Sequence, residues 1–268
     1  MSNDARNCEI KIDNTSVNYL TFGKGSKNLI VIPGIVDGFN LVKGMAAQFA
    51  LDYKVFTEDY KAYTFCRRTD LPDRFTTEDM ANDIIRNMND LGIDNADIIG
   101  ISQGGMIAQY IAINAPEKVN KLVLVVTSAK SNEIIEENMN NWIEMAKNQD
   151  YKGILVDLSE KSYTGDYLEK VRKQYKLFKF MVKNATYDRF ICEAESCLEH
   201  NTSDRLQEIK APTLIIGANK DRVLGIEGSK ELAEKIPNSE LYIYDRYSHG
   251  VFEQEKDFKS RILEYLKK

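Results

Sequence analysis

A chain of 268 residues with 43% hydrophobic and 29% charged residues can bury a large core, which excludes wholesale disorder. The formal net charge is -5 and no long Lys or Arg block occurs, which speaks against nucleic-acid binding and a basic membrane-surface patch. No apolar run approaches the ~18 residues of a bilayer-spanning helix, and the polar start "MSNDARNCEI" lacks an export signal, so a cytoplasmic protein with no membrane span is expected.

In chain order, Glu9 to Ile12 and Val17 to Phe22 read as two hairpin-like strands. "KNLIVI" (Lys27 to Ile32) is a continuous β-branched run suited to a strand buried on both faces, and Pro33-Gly34 ends it. The next segment predicts a helix to about Phe56, then a strand from Lys61 to Cys66. Thr76 to Leu91 predicts a helix with an apolar stripe of Met80, Ile84, Met88 and Leu91, acidic residues in its first turn and Gly92 at its end. A strand from Ala96 to Ile101, a helix from Gln103 to Asn114 and a strand from Lys121 to Val126 follow. This alternation predicts an α/β fold, with a parallel sheet and helices on both faces.

The rhythm breaks from Ser128 to Glu208, which reads as helical, and then resumes. Strands are predicted at Pro212 to Gly217 and Glu240 to Tyr244, with helices at Ile226 to Ile236 and Phe252 to Leu266. The expected organisation is a core of residues 1–127 and 209–268 with a helical cap, 128–208, inserted after the sixth strand and lying over the carboxyl edge of the sheet.

The chemistry centres on "DIIGISQGGM", where Gly100-Ile101-Ser102-Gln103-Gly104 fits G-x-S-x-G between a buried strand and a helix. Flanking glycines relieve crowding at the tight turn that lifts the serine hydroxyl above the sheet edge. A serine needs a base, and the chain has only two histidines. His249 lies after the last strand, at the same sheet edge as Ser102. His200 is the rival but breaks the chain order serine, acid, histidine. Asp221, directly after "LIIGANK", is the chosen acid over Asp245, which sits too close to His249 along the same strand end. Backbone N–H groups of Ile35 and Gln103 are the expected oxyanion donors. The four cysteines fit neither a zinc nor a redox spacing and read as free thiols.

Taken in this order, the Pro33-Gly34 turn, the Ser102 elbow, Asp221 and His249-Gly250 resemble the α/β-hydrolase family in its capped form. The resemblance implies a mostly parallel eight-stranded sheet, a Ser102-Asp221-His249 triad, no cofactor, and a small-molecule acyl substrate. Two departures stand out: Pro33-Gly34 replaces the His-Gly of many members, and "CRRTDLPDRF" replaces a common glycine-rich loop. Arg67 and Arg68 in that segment either face an acidic substrate group or, more simply, are solvated or structurally paired. Asp37 is read as solvated or as a contact to a polar substrate group. The expected activity is a carboxylic-ester hydrolase. Aminopeptidase-like, thioesterase, carbon–carbon hydrolase and perhydrolase chemistries stay open, as does a non-catalytic binder on the same fold. Oligomeric state is not legible.

Overall fold

A computed structural model describes residues 4–35, 42–181 and 187–268. The strands are β1 (Arg6–Ile12), β2 (Thr15–Phe22), β3 (Lys27–Ile32), β4 (Tyr60–Arg68), β5 (Ala96–Ile101), β6 (Val119–Val125), β7 (Thr213–Ala218) and β8 (Ser239–Tyr244). They form one eight-stranded sheet in the order β1-β2-β4-β3-β5-β6-β7-β8. β1, β2 and β4 pair antiparallel. From β4 across to β8 every pairing is parallel. The order reverses at β3, which lies between β4 and β5, and such a switch point opens a crevice at the carboxyl ends of the strands.

Alternate residues of the central strands feed two cores. Ile30, Ile32, Ile98 and Leu124 pack with α2 (Thr77–Asp90), α3 (Gln103–Asn114) and α9 (Glu227–Lys235) through Met80, Ile84, Ile107, Ile111 and Leu232. Leu29, Val31, Ile99 and Val125 face the other way, against Ala50 of α1 (Ala46–Asp52) and Phe258, Ile262 and Leu266 of α11 (Phe258–Lys267). Each such side chain is worth roughly 1.5–3 kcal/mol on full burial, which is why these strands read as unbroken apolar runs. Thr76 caps α2 in a reciprocal box with Asp79.

Between β6 and β7 the chain forms α4 (Glu133–Lys147), α5 (Tyr151–Ser162), α6 (Gly165–Arg172), α7 (Phe178–Met181) and α8 (Tyr187–Glu199). Their apolar faces form a third cluster with Ile35, Met106, Val223 and Leu224, which belong to the rim of the sheet.

Several element bounds differ from the sequence reading. The helix expected up to Phe56 is confined to Ala46–Asp52, followed by a 3₁₀ turn at Lys54–Phe56. β4 runs on to Arg68. The last helix is two, α10 (Val251–Gln254) and α11, separated by extended backbone at Glu255. Asp37 lies outside the described residues.

Candidate active site

Ser102 stands between β5 and α3 with φ 55 and ψ -123, a strained conformation for a residue with a side chain. Neighbouring groups hold it there. Its N–H donates to the Val125 carbonyl at 2.9 Å, and its carbonyl accepts from the Gly105 N–H at 2.8 Å and the Thr127 hydroxyl at 2.8 Å. Val126, before that threonine, is itself at φ 41, so both strand ends beside the elbow are bent out of the extended region. The glycines of the motif are steric requirements. A Cβ on Gly104 would lie 2.0 Å from the Ile32 carbonyl oxygen, and one on Gly100 would lie 2.5 Å from that of Gly104.

Pro33-Gly34 ends β3 beside the elbow. A Cβ on Gly34 would sit 3.1 Å from the Ser102 Cβ and 3.5 Å from its Oγ, so this turn runs close beside the serine side chain. Ile35 follows and is buried. Gln103, the first residue of α3, has its N–H among those that a helix start leaves without an intrahelical partner.

His249 and Asp221 come from the loops after β8 and β7. His249 Nδ1 and Asp221 Oδ2 are 2.8 Å apart, with both side chains buried. Asp221 Oδ1 accepts from the N–H groups of Val223 and Leu224 at 2.8 and 3.0 Å, so the whole carboxylate is held. Asp245, the rival acid, is exposed. The helical segment braces both loops. Asn138 Nδ2 donates to the carbonyls of Arg222 and Val223, and Asn132 Nδ2 to that of Leu224. On either side of His249, Ser248 Oγ donates to the Lys161 carbonyl and the Gly250 N–H donates to the Ser162 carbonyl.

Ser102, His249, Gly34, Ile35 and Gln103 all line one cavity of about 640 Å³ between the sheet rim and the helical segment. Asp221 lies behind His249. A smaller cavity of about 350 Å³, around Thr69, Asp188 and Glu195, contains none of these residues.

His200 is not at this cavity. It is buried, with Nδ1 2.9 Å from the Thr77 hydroxyl and its ring edge-on to Tyr110. Burial pushes its pKa down to about 3, so it is neutral. Cys197 does line the cavity, but burial pushes its thiol up to about 12, which removes it as a nucleophile. All four cysteines are free.

The two arginines resolve as structural groups. Arg68 pairs with Asp83, its Nε 2.7 Å from Oδ2. Arg67 is buried and holds two parts of the site at once. Its Nη2 donates to the Pro33 carbonyl at 3.0 Å and to Gln103 Oε1 at 2.7 Å. Gln103 Nε2 in turn donates to the Glu193 carbonyl at 2.8 Å and Ser196 Oγ at 3.0 Å, both on α8. The sequence points only to the main chain of Gln103. The side-chain link to Arg67 spans 36 residues and leaves no local signal.

A family profile described as the alpha/beta hydrolase fold matches residues 27–256. The chain belongs to that family. Among similar proteins, a 3-oxoadipate enol-lactonase of Acinetobacter baylyi is 23% identical over 255 residues, covering 94% of each chain. A 2-hydroxy-6-oxononadienedioate/2-hydroxy-6-oxononatrienedioate hydrolase of Pseudomonas putida is 24% identical, covering 93% of this chain and 91% of the relative. An esterase from Exiguobacterium antarcticum superposes with a TM-score of 0.83 at 22% identity, covering 98% of this chain and all of the other, which supports the shared fold. Among the described residues of this hydrolase-family member, no helix is long and apolar enough to cross a membrane.

Proposed function

We propose that this alpha/beta-hydrolase-family chain is a serine hydrolase that cleaves a small or medium carboxylic ester through an acyl-enzyme. The observation that carries the reading is the joint position of a strained Ser102 and an Asp221-bound His249 on one cavity. In this reading His249 Nε2 takes the Ser102 proton as Oγ attacks the ester carbonyl. The N–H groups of Ile35 and Gln103 stabilise the oxyanion. The intermediate collapses, His249 returns the proton to the departing alcohol, and the acyl group stays on Oγ. Water then gives a proton to His249, attacks the acyl carbon and releases the acid, while the proton returns to Oγ. Asp221 fixes the imidazole and steadies its cation.

The acyl class follows from the lining. Met106, Met139, Trp142, Leu155, Leu158 and Phe178 make the region facing the helices apolar. The volume lies within the range of small-molecule sites, ~300–1,000 Å³. Residues 128–208 act as the cap that selects the acyl chain. An enol-lactone is an internal ester, so the enol-lactonase among the relatives fits the same bond type. Turnover of p-nitrophenyl esters of increasing chain length, beside aminoacyl amides, tests the proposal. Ester cleavage with a chain-length optimum supports it, and activity on amides alone overturns it.

A further inference from the structure

A helix leaves its last four carbonyls without an intrahelical partner. In α5 these belong to Ser159, Glu160, Lys161 and Ser162. The Tyr163 N–H turns back to the Ser159 carbonyl. The other three accept from residues beside the proposed acid and base. Arg222 Nη2 donates to the Glu160 carbonyl, Ser248 Oγ to that of Lys161, and the Gly250 N–H, at 2.8 Å, to that of Ser162. Arg222 is a chain neighbour of Asp221, and Ser248 and Gly250 are the two chain neighbours of His249.

Ser248 is the junction of these contacts. It is fully buried. Its hydroxyl donates to the carboxyl end of α5 and accepts from the Arg222 N–H at 3.2 Å. The single proton of that group is therefore used on α5 and a lone pair on the acid loop, so one oxygen ties base loop, acid loop and helix together. Two further contacts close the same corner. The Gln254 side-chain amide pairs with both main-chain groups of Thr164, accepting from its N–H at 3.2 Å and donating to its carbonyl at 3.1 Å. A Cβ on Gly250 would lie 2.4 Å from the Tyr163 ring and 3.1 Å from the Ser162 carbonyl oxygen, so the base loop meets the helix end with no room for a side chain.

We propose that Ser248 is a positioning residue for His249: through its hydroxyl the carboxyl end of α5 fixes the imidazole in register with Ser102 and with the departing alcohol. This rests on His249 being the base of the proposed hydrolase. The helical segment then takes part in proton transfer as well as in enclosing the substrate, because α5 cannot shift without carrying the base with it. A clasp that only held the segment onto the sheet would leave the aim of the imidazole untouched, and with it the protonation of the leaving group.

The p-nitrophenyl and ethyl esters of one acid test the proposal on Ser248→Ala. Nitrophenolate departs without a proton, whereas ethoxide needs one from the imidazolium. The kcat/KM of the ethyl ester is expected to fall by about 10²-fold and that of the p-nitrophenyl ester by about tenfold, as a small misplacement of a general acid predicts. A loss on the ethyl ester no greater than that on the p-nitrophenyl ester, in a folded protein, overturns the proposal. Hydrogen exchange of the unmodified protein gives a second measurement that needs no substitution. The Gly250 and Arg222 amides should be protected to within about threefold of the Tyr163 amide, because base loop, acid loop and α5 open as one unit. A Gly250 amide protected about tenfold less than that of Tyr163 overturns the proposal too. Absence of turnover on any ester by the unmodified protein would instead reject the hydrolase reading and leave the exchange comparison measurable.

Discussion

Asp221 Oδ2 and His249 Nδ1 lie 2.8 Å apart across 28 residues of chain. Two successive strand-end loops meet there because β7 and β8 are parallel neighbours whose carboxyl ends share one rim. His249, held by this contact, lines the cavity that Ser102 also lines.

Asp221→Asn tests that contact. The amide keeps the shape but offers the imidazole the wrong partner, so kcat for an ester should fall by about 10⁴-fold with little change in KM. Steady-state kinetics on a protein with an unchanged melting temperature makes the measurement. A drop of less than about tenfold would remove Asp221 from the proposed triad.

Arg67→Met tests the clamp between the Pro33 carbonyl and Gln103. Arg67 touches no reacting atom, so it is a positioning residue that acts through the two segments expected to hold the oxyanion. Loosening both by a fraction of an ångström should lower kcat by about 10²-fold while KM moves little. A purely structural role would lower the melting temperature and leave the kcat of the folded fraction intact.

His200 sets an acid limit on stability. Its folded pKa, about 3, lies below the ordinary value of about 6.5 expected for the unfolded chain. Between those values the unfolded chain binds a proton that the folded one does not. Stability from this group is therefore complete above the unfolded value and is lost as pH falls below it. In urea titrations from about pH 7.5 to about pH 5, His200→Gln should lose about 2 kcal/mol less than the unmodified protein. An equal loss in both would contradict a neutral, buried His200.

Gly104→Ala should destabilise by about 3 kcal/mol or more, because a methyl group cannot occupy a place 2.0 Å from the Ile32 carbonyl oxygen. Chemical denaturation measures the effect. Near-native stability would mean that β3 and the elbow do not approach as described.

Much of this fold is written locally. "KNLIVI" and "ADIIGI" are buried on both faces and read as strands by that fact alone, and the elbow declares itself through its glycines. The breaks are harder to see. Nothing like Pro or Gly marks the separation of α10 from α11, because tertiary packing sets it, with the Phe252 and Phe258 rings 6.5 Å apart across the gap. Arg67 reads from sequence as part of a loop because the apolar run of the strand ends at Cys66. Extending the strand carries it inward to partners 34 and 36 residues away. The same holds for Asn138 and Ser248, whose braces reach across 85 and 87 residues. Chain-local patterns carry the side chains proposed to react, and long-range packing carries what positions them.

The central claim is that Ser102 is a nucleophile activated by His249. A fluorophosphonate probe, followed by intact-mass measurement and peptide mapping, tests it most directly. One label per chain on Ser102, lost in Ser102→Ala and strongly slowed in His249→Ala, is the predicted result. A protein that hydrolyses esters yet takes no label, or takes it at another residue, would contradict it.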